Sequence, residues 1–348
     1  MGICLSCEYA EKLESDENIV YVVEEGGLNS DEDGARRIAS LYSQQGKKGP
    51  NQDTAILCQG YGMEEGVLCG VFDGHGRSGH VVSRMVRDYL PSLLLSERNA
   101  ILLASEGYMY SDSDDTSSIN DDDSPVSSPD MFDEWKEACI NAFRAMDKEL
   151  KHQNNFDCTF SGTTAVSIIK QGKDLIIANL GDSRAIMGAI SEDGHLEAIQ
   201  LTTDLKPNLP KEAERIRKSN GRIFALRDEP NIQRVWLPDE NYPGLAMARS
   251  FGDFQLKHYG VISVPEVSYR RLTNRDQFII LASDGVWDVL SNKEVVSIVW
   301  SVGSKEKASK AVVEAAVRAW KCKYPSSRID DCSAACLFLQ DTSTVNKC

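Results

Sequence analysis

No apolar run in the chain approaches the ~18 residues that a membrane-spanning helix needs. The first ten residues also lack the basic start and apolar core of a secretory signal, so the cytoplasm is the expected compartment. Positive charge is in deficit: 38 Lys and Arg face 53 Asp and Glu, for a net charge of −15. A partner gripped mainly through its phosphate backbone is therefore excluded, and no nucleic acid is expected. Ten cysteines, at 4, 7, 58, 69, 139, 158, 322, 332, 336 and 348, show no framework spacing, so reduced thiols are expected. With 5 histidines and no His/Cys cluster, a zinc site has no support. A period-based repeat is also missing.

What is present is globular: 348 residues, 41% hydrophobic and 26% charged, enough for one large domain or two ordinary ones. The acidity is concentrated. Residues 8–33 carry −9 and residues 104–130 carry −8, leaving about +2 for everything else. We read 1–35 as an acidic, disordered tail, 36–340 as the folded part, and 341–348 as a C-terminal tail. The stretch 104–130, rich in Ser and Asp with Pro125 and Pro129, has too few apolar side chains to pack. It is expected to be a mobile loop, with serines beside acidic residues that suit phosphorylation.

The start, Met1-Gly2-Ile3-Cys4-Leu5-Ser6-Cys7, fits the N-myristoylation pattern at Gly2. One myristoyl chain binds membrane only marginally, and the acidic residues that follow cannot act as a polybasic second signal. Palmitoylation of Cys4, Cys7 or both is the remaining route to a peripheral membrane anchor, expected at the cytoplasmic face of the plasma membrane. The alternatives are an untethered tail on a protein of the cytosol or nucleus, and a Cys-x-x-Cys metal or redox pair that nothing nearby completes.

Strands are expected at Ser40–Gln45, Val67–Phe72, Thr163–Ile169, Leu175–Leu180, Arg184–Met187, Phe278–Ala282 and Ser333–Leu339. Helices are expected at Val81–Leu95, over Trp135, Cys139, Ala142, Met146 and Leu150, and at Pro210–Asn220 with Gly221 as a left-handed cap. Two more follow, one after a Ser291–Glu294 capping box and one at Ala308–Trp320. Strands cluster and helices pair, without βαβ alternation, so the fold class is α+β on mainly antiparallel sheet.

Four separate segments bring carboxylates to strand ends: Asp73 before Gly74-His75-Gly76, Asp182 after Ile176–Gly181, Asp284 after Phe278–Ser283, and Asp330-Asp331 ahead of the last strand. Singly, an Asp-Gly after a strand is ordinary turn chemistry. Jointly, crowded carboxylates must protonate, pair with bases or hold a cation, and hard oxygen ligands favour Mg²⁺ or Mn²⁺.

Seven stretches taken in order, Gly46–Asp53, Asp73–Gly76, Ser161–Ala165, Gly181–Arg184, Ala248–Asp253, Ala282–Asp288 and Asp330–Ser333, resemble the motifs of metal-dependent type-2C Ser/Thr protein phosphatases. The Lys-Gly-Pro-Asn-Gln-Asp wording and the N-terminus look most like plant members. The resemblance spans roughly 40–340 and implies a single α-β-β-α sandwich, two antiparallel sheets packed face to face between helices. It further implies two Mg²⁺ or Mn²⁺ ions at one edge, with Asp73 bridging, the Gly74 carbonyl on one ion, and Asp284 and Asp330 on the other.

By the same resemblance Asp53 sits in the outer shell toward water and His75 protonates the departing Ser or Thr oxygen. Asp182 is implied to hold a third, weaker cation together with Asp284, against a plain role of anchoring the turn before Ser183-Arg184. Two departures stand out. Lys48 occupies the place of a phosphate-gripping arginine and offers a point charge, not a fork, while Gln52 replaces a glutamate and removes a negative charge. The expected activity is hydrolysis of phosphoserine and phosphothreonine in phosphoprotein substrates by a monomer. The alternatives are a membrane-tethered, catalytically weak scaffold and a hydrolase of small phosphate esters.

Overall fold

The computed structural model describes residues 18–23, 38–109, 128–326 and 328–340. Strands β1 (Ile19–Val23), β2 (Ala39–Gln44), β3 (Asp53–Gln59) and β4 (Val67–His75) lead into helices α1 (Gly79–Met109) and α2 (Ser128–Lys151). Then follow β5 (Gly162–Thr163), β6 (Ala165–Gln171), β7 (Asp174–Leu180), β8 (Arg184–Ile190), β9 (Leu196–Gln200) and α3 (Pro210–Lys218). The next elements are β10 (Arg222–Ala225), β11 (Gln233–Trp236), β12 (Pro243–Leu245), β13 (Phe251–Gly252), α4 (Phe254–Lys257), β14 (Glu266–Arg271) and β15 (Asp276–Ala282). Helices α5 (Asp284–Trp287), α6 (Asn292–Ser301) and α7 (Ala308–Lys323) precede the last strand, β16 (Cys332–Phe338).

One sheet runs β1-β3-β4-β6-β7-β14, with β5 and β13 at its margin, and a second runs β2-β16-β15-β8-β9. Strand alternation sends each sheet's side chains two ways. On β3, Ala55 and Leu57 join Val71, Ile168, Ile279, Leu281 and Ala335 between the sheets. Ile56 and Cys58 point outward into a cluster with Val86, Leu90, Trp135 and Phe143 of α1 and α2. On β15, Phe278, Ile280 and Ala282 likewise meet Val295, Val299, Val312 and Ala316 of α6 and α7. Strands covered on both faces need apolar residues at every position, so Phe278–Ala282 reads as an unbroken run. The result is the α-β-β-α sandwich.

The capping box forms as read: Ser291 caps Glu294, whose carboxylate returns to the Ser291 N–H. Three differences have local causes. Residues 19–23, inside the supposed disordered tail, form β1, which pairs in parallel with β3 through Ile19↔Ala55 and Val23↔Gln59. Ile19 and Val22 are buried, and this apolar content keeps the segment in the sheet despite its acidic flanks. Helix α1 continues through Pro91 to Met109. The outer half lies along α2, where the Arg98 guanidinium stands 4.7 Å from the Trp135 ring centre. The supposed 104–130 loop is therefore shorter, because 104–109 and 128–130 are helical, and the rest of it lies outside the described residues. Finally, Asn220 and not Gly221 takes the left-handed conformation, at φ 60. Gly221 is required for space instead, since a Cβ there would stand 2.4 Å from the Tyr259 carbonyl oxygen.

Helix α3 is tied to the body by one carboxylate. Glu212 receives Arg249 through both oxygens, at 2.6 and 2.9 Å, and Arg215 at 2.7 Å. Burial works against its ionised form, but the two guanidiniums outweigh that and lower its pKa below 4.5. A lowered folded pKa contributes stability above the unfolded value, and that contribution is lost as pH falls through the folded one. Glu212→Gln should therefore cost about 3 kcal/mol in urea unfolding at neutral pH, with the deficit shrinking in acid.

Candidate active site

The site begins as a consequence of register. Antiparallel pairing of β3 with β4 sets Asp53 opposite Asp73 at one end of the first sheet. In the second sheet Ala282 pairs with both Arg184 and Ala334, so the residues flanking these positions gather at one end: Asp182, Asp284 and Asp330. The two sheet ends are joined by Ser283, whose hydroxyl donates to Asp53 at 2.6 Å and accepts the Ser333 N–H at 3.1 Å. Thr164 closes the other flank by accepting the Asp73 N–H at 3.0 Å and meeting Ser183 Oγ at 2.7 Å.

The electrostatics follow from crowding carboxylates in a site where Asp53 and Asp182 are buried and Asp73, Asp284 and Asp330 are half-buried. Burial, then the charges of Asp53, Asp284, Asp330 and Asp182, push the Asp73 carboxyl far above its usual range. Burial, then Asp182, Asp288 and Asp330, do the same to Asp284, with Lys206 opposing. Asp53, 1% exposed, is pushed up to about 7 by burial, with the Ser283 hydrogen bond resisting. Asp73 and Asp284 thus lie in each other's field and in that of Asp330.

Two lysines answer part of that charge. Lys48 Nζ bonds Asp330 Oδ2 and Lys206 Nζ bonds Asp182 Oδ2. Lys48, read from sequence as a phosphate grip, thus spends its charge on a carboxylate in this arrangement. Among the described residues no three His, Cys, Asp or Glu side chains are already drawn to the spacing of a bound ion. The donor set nevertheless suits a hard cation: oxygens only, with Asp182 Oδ1 buried and lacking a hydrogen-bond partner. The backbone at Gly74 is equally specific, since a Cβ there would stand 2.4 Å from the Gly79 oxygen and 2.7 Å from that of Gln52. Gln52 turns its side chain to the Gly76 carbonyl at 2.9 Å.

His75 Nε2 lies 2.7 Å from Asp253 Oδ2, and its Nδ1 is buried with no hydrogen-bond partner among the described residues. Burial lowers the pKa of His75, but Asp253 outweighs it and the net shift is upward. Asp253 is itself fixed: φ is 50, Ser250 Oγ donates to it at 2.6 Å, and it is 1% exposed. Gly162 makes the room, because a Cβ there would meet Asp253 Oδ2 at 2.5 Å and His75 Nε2 at 2.8 Å.

Sequence reasoning gave no role to Asp253 or Asp288, and counted Asp331 only among the carboxylates near strand ends. Asp253 ends a quoted motif but gained no role there; its pairing with His75 joins residues 178 apart. Asp288 follows Asp284 by one helical turn, and burial together with Asp182 and Asp330 raises its pKa against Lys206. Its i+4 spacing from Asp284 was the available signal. Asp331 accepts the Gly46 and Gln52 N–H groups at 2.7 and 2.8 Å, holding the loop that carries Lys48.

The family described as protein phosphatase 2C matches residues 67–323. The chain belongs to the protein phosphatase 2C family. "Probable protein phosphatase 2C 12" of Oryza sativa subsp. japonica is 59% identical over 98% of this chain and 92% of its own length. "Probable protein phosphatase 2C 72" of Arabidopsis thaliana is 49% identical over 98% of both. Among solved structures, that of a serine-threonine phosphatase 2C from Toxoplasma gondii aligns with TM-score 0.74 and 25% identity, covering 87% of this chain and 94% of that one. Membership of the phosphatase 2C family makes the chain a protein Ser/Thr phosphatase, and phosphoproteins its substrates. The scaffold reading is not favoured.

Proposed function

We propose that this phosphatase hydrolyses phosphoserine and phosphothreonine at two Mg²⁺ or Mn²⁺ ions held by Asp73, the Gly74 carbonyl, Asp284 and Asp330. The observation that carries the reading is the convergence of these carboxylates from both sheets into one half-buried cluster, in which the pKa of Asp73 and that of Asp284 are raised by burial and by the neighbouring carboxylates. Such ions, when bound, supply water acidity and neutralise charge on the phosphoryl oxygens.

The chain's own residues do the rest. Asp53, held on one side by the Ser283 hydroxyl, orients water through the edge that Ser283 leaves free. His75, whose protonated form the paired Asp253 favours, is the group that delivers a proton to the departing seryl or threonyl oxygen. Lys48, 54% exposed at its side chain, releases Asp330 to that role and turns to the phosphate. Asp182 and Asp288 form a third cation position for which the Lys206 ammonium competes.

Phosphate release from a phosphothreonine peptide should depend on added Mn²⁺ or Mg²⁺, vanish with chelator, and fall at least ~100-fold in Asp284→Asn. Metal-independent release by both proteins would end the reading.

The lipid anchor at Gly2 with Cys4 and Cys7 lies outside the described residues, and no helix among the described residues is long and apolar enough to cross a membrane. The pairing of an exposed-glycine acylation pattern with two nearby cysteines supports a doubly acylated, peripheral protein at the cytoplasmic face. Gly2→Ala should move the full-length protein from the membrane fraction to the soluble one; an unchanged distribution refutes the anchor.

A further inference from the structure

We propose that a cavity between α2 and α4 binds a second anionic group, a phosphoryl or a tight pair of carboxylates, carried by the phosphoprotein substrate. The inference builds on the phosphatase reading and adds a specificity site to it. The cavity measures about 270 Å³, room for roughly nine waters at ~30 Å³ each, which suits one phosphoryl group with its linking side chain.

Its walls are cationic beyond what the fold needs. The last turns of α2 present Arg144, Asp147, Lys148 and Lys151 on one face, and the opposite wall is Phe254, Lys257 and His258. The only carboxylate among these residues is already engaged. Asp147 Oδ1 accepts the Gly252 N–H at 2.9 Å and Lys257 Nζ at 3.2 Å, while its Oδ2 stands 3.1 Å from the same ammonium. Asp147 and Lys257 thus cancel. Arg144, Lys148 and Lys151 have no carboxylate within ion-pair distance among the described residues, leaving three positive charges around one cavity in a protein of net charge −15.

Like charges at i, i+4 and i+7 on a helix repel, so the arrangement costs stability unless an anion enters. Charge-assisted bonds to phosphate are the strong compensating interaction. The half-buried Phe254 ring, 6.0 Å from Lys151 Nζ, gives an apolar floor for the hydrocarbon part of a peptide side chain.

The cavity wall is also linked to the catalytic edge by hydrogen bonds. Lys257 Nζ donates to the Ser250 carbonyl at 2.6 Å, Ser250 Oγ donates to Asp253 at 2.6 Å, and Asp253 contacts His75. Residues 250–257 therefore back the proton donor on one side and wall the cavity on the other. This linkage of the cavity wall to His75 favours a group on the substrate peptide over a freely diffusing ion.

The test measures the affinity of a fluorescent phosphothreonine peptide, and of the same peptide with an added phosphoserine at a series of spacings, for the full-length wild type and for K148E/K151E. Both lysines are exposed, and an unchanged melting temperature verifies the fold of the variant. At the best spacing the second phosphate is expected to tighten wild-type binding about tenfold. Charge reversal is expected to erase that gain while leaving affinity and turnover of the singly phosphorylated peptide unchanged. Equal affinity for the two peptides in the wild type, or an equal ratio in the variant, overturns the proposal.

Inorganic phosphate is the other source of the same chemistry. If it alters wild-type turnover of the singly phosphorylated peptide, leaves the variant unaffected, and peptide preference is absent, the cavity belongs to a free ion and the substrate assignment falls. Because affinity is read without turnover, an inactive enzyme would refute the phosphatase mechanism while still reporting on the cavity.

Discussion

Asp73→Asn is expected to lose about three orders of magnitude of phosphate release and, with chelator present, to melt at a higher temperature than the wild type. The two effects have one cause. Asp73 is half-buried among Asp53, Asp284, Asp330 and Asp182, and every one of them disfavours its ionised form. Replacing the carboxylate by an amide of equal size removes that repulsion, and each ~1 kcal/mol relieved raises the melting temperature of a domain this size by roughly 2 °C. The same change removes the ligand on which both cations depend. A loss of about 4 kcal/mol of transition-state stabilisation corresponds to ~1000-fold in rate. Calorimetry in chelator, paired with peptide turnover in Mn²⁺, checks both halves. A variant less stable than the wild type would show that the cluster is held by hydrogen bonding and not strained by charge.

Asp253→Asn is expected to separate two substrates. Asp253 fixes the His75 ring at 2.7 Å and raises its proton affinity against the cost of burial. An amide cannot stabilise the imidazolium, so proton delivery to a poor leaving group such as a threonyl oxygen should fall by about 100-fold. p-Nitrophenolate leaves without a proton, and the variant should hydrolyse p-nitrophenyl phosphate within a few-fold of the wild type. Equal loss on both substrates would reduce Asp253 to a structural residue, whose removal disturbs the whole edge.

Much of this was legible because the physics involved is local. A strand covered on both faces must be apolar at every position, so Phe278–Ala282 announced itself, and the Ser291–Glu294 box forms from residues three apart. Asp73, Gly74, Asp284 and Asp330 were legible for a different reason: the ordered motifs that contain them resemble those of a known family, whereas singly an Asp-Gly after a strand reads as turn chemistry. What escaped was set by distant partners. Residues 19–23 lie between acidic stretches, and only the edge of β3 makes them a strand. The far half of α1 depends on α2, whose Trp135 meets Arg98. Asp253 was only the last letter of a motif until folding set it beside His75.

By itself the sequence determined the alternation that buries two sheet faces against each other and two against helices, the chemical hardness of the donors, and their order along the chain. These depend on residue type and on spacing within one element. Tertiary structure alone decided which charges meet. It set Lys48 on Asp330 and Lys206 on Asp182, made Asp288 a neighbour of the cluster, committed Nε2 of His75 to Asp253, and left three cations of α2 facing a cavity without a carboxylate to answer them. Coulomb energy depends on separation and on the water excluded between two groups, and neither quantity exists until remote segments have packed.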